Sequence, residues 1–101
     1  MLSCEKNRNT LIARLSGELD QREAAEIRKE LDSILEDGQI RRLIFDLSQL
    51  RFMDSSGIGL IIGRYKRLKR RNGIVAVTGL DERMNRILDM AGLFQLVDRL
   101  A

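Results

Sequence analysis

The sequence predicts an α/β domain of a single unit, residues 1–101, with a mixed β-sheet of four or five strands and three or four helices. Three observations carry that expectation. Short runs rich in aliphatic and β-branched residues alternate along the chain with longer segments whose apolar residues recur every three or four positions. Glycine or Asn/Asp turn signals separate them. The resulting order, β-β-α-β-α-β-α, implies an N-terminal antiparallel hairpin followed by parallel crossovers of right-handed sense.

The hairpin comes first. Met1 to Glu5 reads as a short edge strand, and Asn7-Arg8-Asn9 as its turn. Thr10 to Ser16 alternates, with Leu11, Ala13 and Leu15 on one face, until Gly17 breaks it. Asp20 and Glu23 then have capping-box spacing, with aspartate in the Ser/Thr place. The helix they open carries Ala24, Ile27, Leu31, Ile34 and Leu35 on one face, and Gly38 is its expected stop.

Leu43, Ile44, Phe45 and Leu47 predict a central strand covered on both faces. A loop from Gln49 to Ser55 leads into a second helix, with Ile58, Ile61, Ile62, Tyr65 and Leu68 as its apolar stripe. After the Asn72-Gly73 turn, Ile74 to Thr78 reads as a buried strand. Gly79 interrupts, and Asp81 caps a third helix whose inner face is Met84, Ile87, Leu88 and Ala91. Gly92 ends that helix, leaving Leu93, Phe94, Leu96 and Val97 as a closing apolar segment without a defined period.

Composition narrows the function classes. Hydrophobic content of 44% and charged content of 33% describe a soluble globular protein. No apolar run approaches a membrane span, and the N-terminus lacks a signal-peptide core. One cysteine, Cys4, permits no internal disulfide, so a cytoplasmic protein is expected. There is no histidine, which removes the commonest general base and metal ligand; neither a cofactor nor a metal is expected.

Arg64, Lys66, Arg67, Lys69, Arg70 and Arg71 hold six of the 18 basic residues, leaving 12 against 15 acids elsewhere. They stand at the end of the second helix, where cations complement its negative pole. With Tyr65 on the apolar stripe, no aromatic residue interleaves the cluster, so no direct nucleic-acid partner is expected.

The residues with chemistry to offer lie between the central strand and the second helix, in Asp54-Ser55-Ser56-Gly57. Ser55 and Ser56 fall on a first helical turn, where unpaired amides and the helix dipole favour negative charge. Asp54, like Asp20, is a helix cap. Successive parallel crossovers bring the Gly17–Asp20 and Gln49–Ser55 loops to one edge of the sheet, which gathers Asp20, Asp54 and Glu18 around the serines. Gly57, Gly59 and Gly63 have GxGxxxG rather than GxGxxG spacing and no Walker lysine follows; close packing of the helix is their expected role. A nucleophile elbow would need glycine at Met53, and no histidine serves as base, so catalysis by this chain alone is not expected.

The stretch FMDSSGIGLIIGRYKRLKRRNG resembles the signature of bacterial anti-sigma factor antagonists of the STAS family, most closely its sporulation members. LSGELDQREAAEIRKEL, IRRLIFDLSQLRFMD and RILDMAGLFQL are similar too, so the likeness spans nearly the whole chain in order. The resemblance implies a STAS fold and a non-enzymatic regulator of transcription that acts on sigma factors through protein-protein contact. It implies that Ser55 is phosphorylated by an ATP/ADP-binding anti-sigma factor that is a serine kinase, and that a serine phosphatase reverses this. Unmodified, the protein would bind the kinase and release its sigma factor; phosphorylation would switch binding off.

Asp20, which matches the aspartate of the family's GELD element, would contact the partner, with Asp54, Ser55, Ser56 and Gly57. No membrane partner is implied, and the expected state is a monomer or weak dimer. Family members usually continue into a further C-terminal helix, which implies either truncation here or a bare surface used in pairing. Three alternatives stay open: a general-stress antagonist, a nucleotide- or ligand-binding STAS module, and a receiver-like domain phosphorylated on Asp54. The last needs a pair of metal-binding acids and a late lysine that the sequence does not offer.

Overall fold

The computed structural model describes residues 1–100. Among them the chain forms strands β1 (Leu2–Asn7), β2 (Thr10–Leu19), β3 (Arg42–Met53), β4 (Ile74–Thr78) and β5 (Asp98–Arg99). Helices α1 (Gln21–Ile34), α2 (Ser55–Lys69) and α3 (Glu82–Met90) lie between them, with a 3-10 turn at Leu93–Gln95. The strands stand in sequential order; β1 runs antiparallel to β2 and every later pairing is parallel. Sequential order with right-handed crossovers puts all three helices on one face. Burial agrees: Leu11, Ala13 and Leu15 of β2 and Leu43, Phe45 and Leu47 of β3 are buried, while Arg14 is exposed and Ile12, Ile44 and Asp46 are half-buried.

That single-sided layering corrects the central strand: among the described residues no helix covers its second face. Instead Arg14 lies between Glu5, at 3.0 Å, and Asp46, at 3.6 Å, as a cross-strand charge row on the open face.

Two expected loops are strand. β2 continues through Gly17, which takes φ +81, to Leu19, and β3 continues to Met53. The register explains how. Five steps along β2, from Arg14 to Leu19, span seven along β3, from Asp46 to Met53, with irregularities at Arg14/Ser16 and Gly17/Glu18. β3 thus carries two bulges, each shifting its alternation by one residue, and its buried positions after Leu47 fall at Leu50 and Met53.

The helices follow their caps. Asp20, Asp54 and Asp81 each take an extended backbone and accept an amide hydrogen bond from the first turn of α1, α2 and α3. The capping box of α1 is half made: Asp20 accepts from the Glu23 amide at 2.9 Å, while the Glu23 carboxylate lies 3.8 Å from the Met1 amino group. α1 ends at its C-cap Leu35, short of Gly38, and Arg71 ties the carbonyls that follow: Nη2 donates to Leu35 O at 2.7 Å, and Nη1 to Asp37 O at 3.0 Å and Ile40 O at 3.2 Å.

The buried face of α2 is rotated from the expected stripe. Gly57, Leu60, Ile61, Arg64 and Leu68 are buried; Ile58, Ile62 and Tyr65 flank them, half-buried against the core. On α3, Met84 and Leu88 are buried, Ile87 is half-buried and Ala91 is an exposed C-cap. The closing segment resolves into the 3-10 turn, which buries Leu93, and β5, with Val97 buried between them.

Candidate functional site

The serine end of the sheet is built by the paired ends of β2 and β3. Leu19 pairs with Met53, and the Asp54 amide donates to Leu19 O at 3.3 Å. Asp20 and Asp54 are the next residues on each chain, so α1 and α2 start side by side. Both aspartates line one shallow depression with Gln21, Arg22 and Ala25. The expected gathering of this edge is therefore present, through strand pairing rather than through neighbouring loops.

On this edge Ser55 is the first residue of α2 and is exposed. Asp54, half-buried, accepts from the Ser56 amide at 2.8 Å, and the Gly57 amide donates to Asp54 O at 3.0 Å. These bonds hold the first turn while leaving the Ser55 hydroxyl at the surface. Ser56 is half-buried and turns toward α1, where it lines a groove between the two helices. Glu18 is exposed on β2, opposite Phe52.

Gly57 carries the close approach. A Cβ there would collide with the Met53 side chain and come within 2.9 Å of Leu19 Cδ2. The bare backbone lets α2 begin directly over the strand ends, which sets the height of Ser55 above the sheet. Gly59 and Gly63 correct the packing expectation, since a Cβ at either would meet nothing within 4 Å. They open the α1–α2 groove, whose other lining includes Ala24, Ala25, Arg28 and Arg64. From sequence Arg28 was not singled out and Arg64 stood only in the basic cluster at the helix end; the available signal for the groove was a pair of glycines four apart, off the apolar stripe.

Among the described residues no group of His, Cys, Asp or Glu is arranged to hold a metal ion, and no helix is long and apolar enough to cross a membrane.

The whole chain, residues 1–101, matches the STAS domain family. The chain belongs to the STAS family. An anti-sigma F factor antagonist of Paenibacillus polymyxa is 40% identical over 96 residues, covering 95% of this chain and 82% of that one. An anti-sigma-B factor antagonist of Bacillus subtilis is 31% identical over 94 residues, 93% of this chain and 84% of its own. Among solved structures, the anti-sigma factor antagonist SpoIIAA in its unphosphorylated form superposes with a TM-score of 0.87 at 27% identity, covering all of this chain and 89% of that one. The phosphorylated form of the Bacillus SpoIIAA gives 0.80 at 28% identity, covering all of this chain and 92% of its own. This STAS chain thus has the expected fold, a five-stranded mixed sheet with three α-helices among its described residues.

Proposed function

We propose that this protein is an anti-sigma factor antagonist whose docking face is switched by phosphorylation of Ser55. Unmodified, the face formed by Asp20, Asp54, Ser55, Ser56 and Gly57 binds an anti-sigma factor with serine-kinase activity and frees its sigma factor. Phosphorylated, it lets go, and a serine phosphatase restores it. The observation that carries this reading is the exposed Ser55 hydroxyl on the first turn of α2, beside the two aspartate caps. The identities to antagonists of both the F and B classes support the partner class, and the higher identity to the F antagonist favours sporulation.

The chemistry is electrostatic. Phosphorylation adds about −1.5 to −2 charges at a surface that already carries two carboxylates. Against one acidic group of the partner at about 8 Å, with an effective dielectric of about 40, the repulsion is roughly 2 kcal/mol, about 30-fold in affinity. The helix N-terminus tolerates the new anion, so the fold stays intact while the face becomes repulsive. Titration of Ser55→Asp and Ser55→Ala against the anti-sigma factor tests this. Weak binding by the first and near-native binding by the second is the expected pattern; equal affinities would remove the switch.

A further inference from the structure

The groove between α1 and α2 has a volume of about 480 Å³ and runs from Ser56 to Arg64. Its walls are low, made by Ala24 and Ala25 on one side and Gly59 and Gly63 on the other. Neither glycine has a positive φ, and neither is crowded at the Cβ position. Glycine inside a helix weakens it, and no close packing among the described residues requires glycine at either position. Their effect is to leave a notch along α2 that another backbone can enter.

The far end of the notch has an excess of cation. Arg28, Arg64 and Arg67 gather there against the carboxylates of Asp32 and Glu36. Arg64 is 8% exposed, and its Nε lies 3.2 Å from Asp32 Oδ1. Its Nη1 is buried without a hydrogen-bond acceptor among the described residues, an arrangement that folded proteins rarely leave uncompensated. Burial lowers the Arg64 pKa; Asp32 opposes that, and Arg28 and Arg67 add to it.

We propose that this groove is the second half of the docking face and seats an acidic helix of the anti-sigma factor. Small or apolar side chains of that helix lie over Gly59 and Gly63, and one of its Asp or Glu side chains reaches the exposed Arg28 at the Arg64 end of the groove. Residues four apart share one helix face, so the glycine notch is aligned to take the ridge of a second helix. Arg64 is eight residues beyond Ser56, about 12 Å along α2, so the carboxylate falls roughly two turns from the partner group that meets Ser55. Charge complementarity selects this occupant: the serine end is acidic, while the groove end is basic. The inference rests on the antagonist reading above and adds a contact that Ser55 does not make.

The test uses Gly63→Leu, which fills the notch with a good helix former, and Arg28→Glu, which reverses an exposed charge. Both are titrated against the anti-sigma factor beside Ser55→Asp, with thermal melting as the control for folding. The expected result is a loss of affinity of about tenfold or more for each groove variant, with Gly63→Leu melting at or above the parent temperature. The salt dependence of binding should also fall in Arg28→Glu. Groove variants that bind within twofold of the parent overturn the groove, whatever Ser55→Asp does. Weakened groove variants beside an unaffected Ser55→Asp uphold the groove and remove the switch.

Discussion

The Asp54 amide donates to the Leu19 carbonyl at 3.3 Å, joining two chain segments that the sequence separates by the whole of α1 and the whole of β3. From that junction Asp20 and Asp54 each turn outward to cap a helix. The same two carboxylates therefore hold the helix starts and give the proposed docking face its charge.

Capping and charge can be separated by substitution. Asp20→Ala and Asp54→Ala should each cost about 1 kcal/mol in urea unfolding, because each strands a first-turn amide. Asn is as good a cap as Asp, so Asp20→Asn and Asp54→Asn should stay within about 0.5 kcal/mol of the parent. A change in partner affinity in the Asn variants then reports the charge alone.

The three glycines of α2 should respond with opposite signs. Gly57→Ala drives a methyl group into Met53 and Leu19 and should destabilise by about 1–3 kcal/mol. Gly59→Ala and Gly63→Ala point into open space and should each stabilise by roughly 0.5–1 kcal/mol. Denaturation midpoints of the three variants decide the matter.

Most of the fold was legible in the sequence because helix caps and apolar periods are local signals. The strand ends were not, for two different reasons. In β2 the alternation Leu11, Ala13, Leu15 runs on past Gly17 to Leu19, but glycine reads locally as a break. In β3 the buried positions change spacing from two to three at Leu47, Leu50 and Met53, which looks like a loop until the partner strand shows the bulges. Parallel pairing of β2 and β3 is enough to bring Asp20 and Asp54 to one edge, which is why their proximity was legible although the strand ends were not. The groove was hidden because a glycine facing open space and a glycine facing a neighbour are the same letter.

The basic cluster at the end of α2 acts on its neighbour. Arg71 ties the carbonyls of Leu35, Asp37 and Ile40 beyond α1, and Arg67 reaches Asp32 at 3.4 Å. Arg71→Lys cannot reproduce the fork of donors, and Arg71→Ala leaves three carbonyls without it. We expect Arg71→Ala to lose about 1–3 kcal/mol and Arg71→Lys to recover only part of that in urea unfolding. Hydrogen exchange should quicken first at the end of α1.

Asp32 faces two guanidinia, Arg64 at 3.2 Å and Arg67 at 3.4 Å. Removing the carboxylate leaves the buried Arg64 with less compensation, but Asp32 is one-third exposed and water screens part of the loss. Asp32→Ala should therefore cost about 1–2 kcal/mol, less than a fully buried pair. Asp32→Ala combined with Arg64→Met should recover stability, as thermal melting of the pair would record.

The central claim is that one surface hydroxyl decides whether the face binds. Incubation of the protein with ATP and candidate serine-kinase anti-sigma factors, followed by mass mapping of the modified peptide, tests it most directly. The account predicts a single phosphoryl group on Ser55, absent from Ser55→Ala. A label on Ser56, on Asp54 or anywhere else in the chain would contradict it.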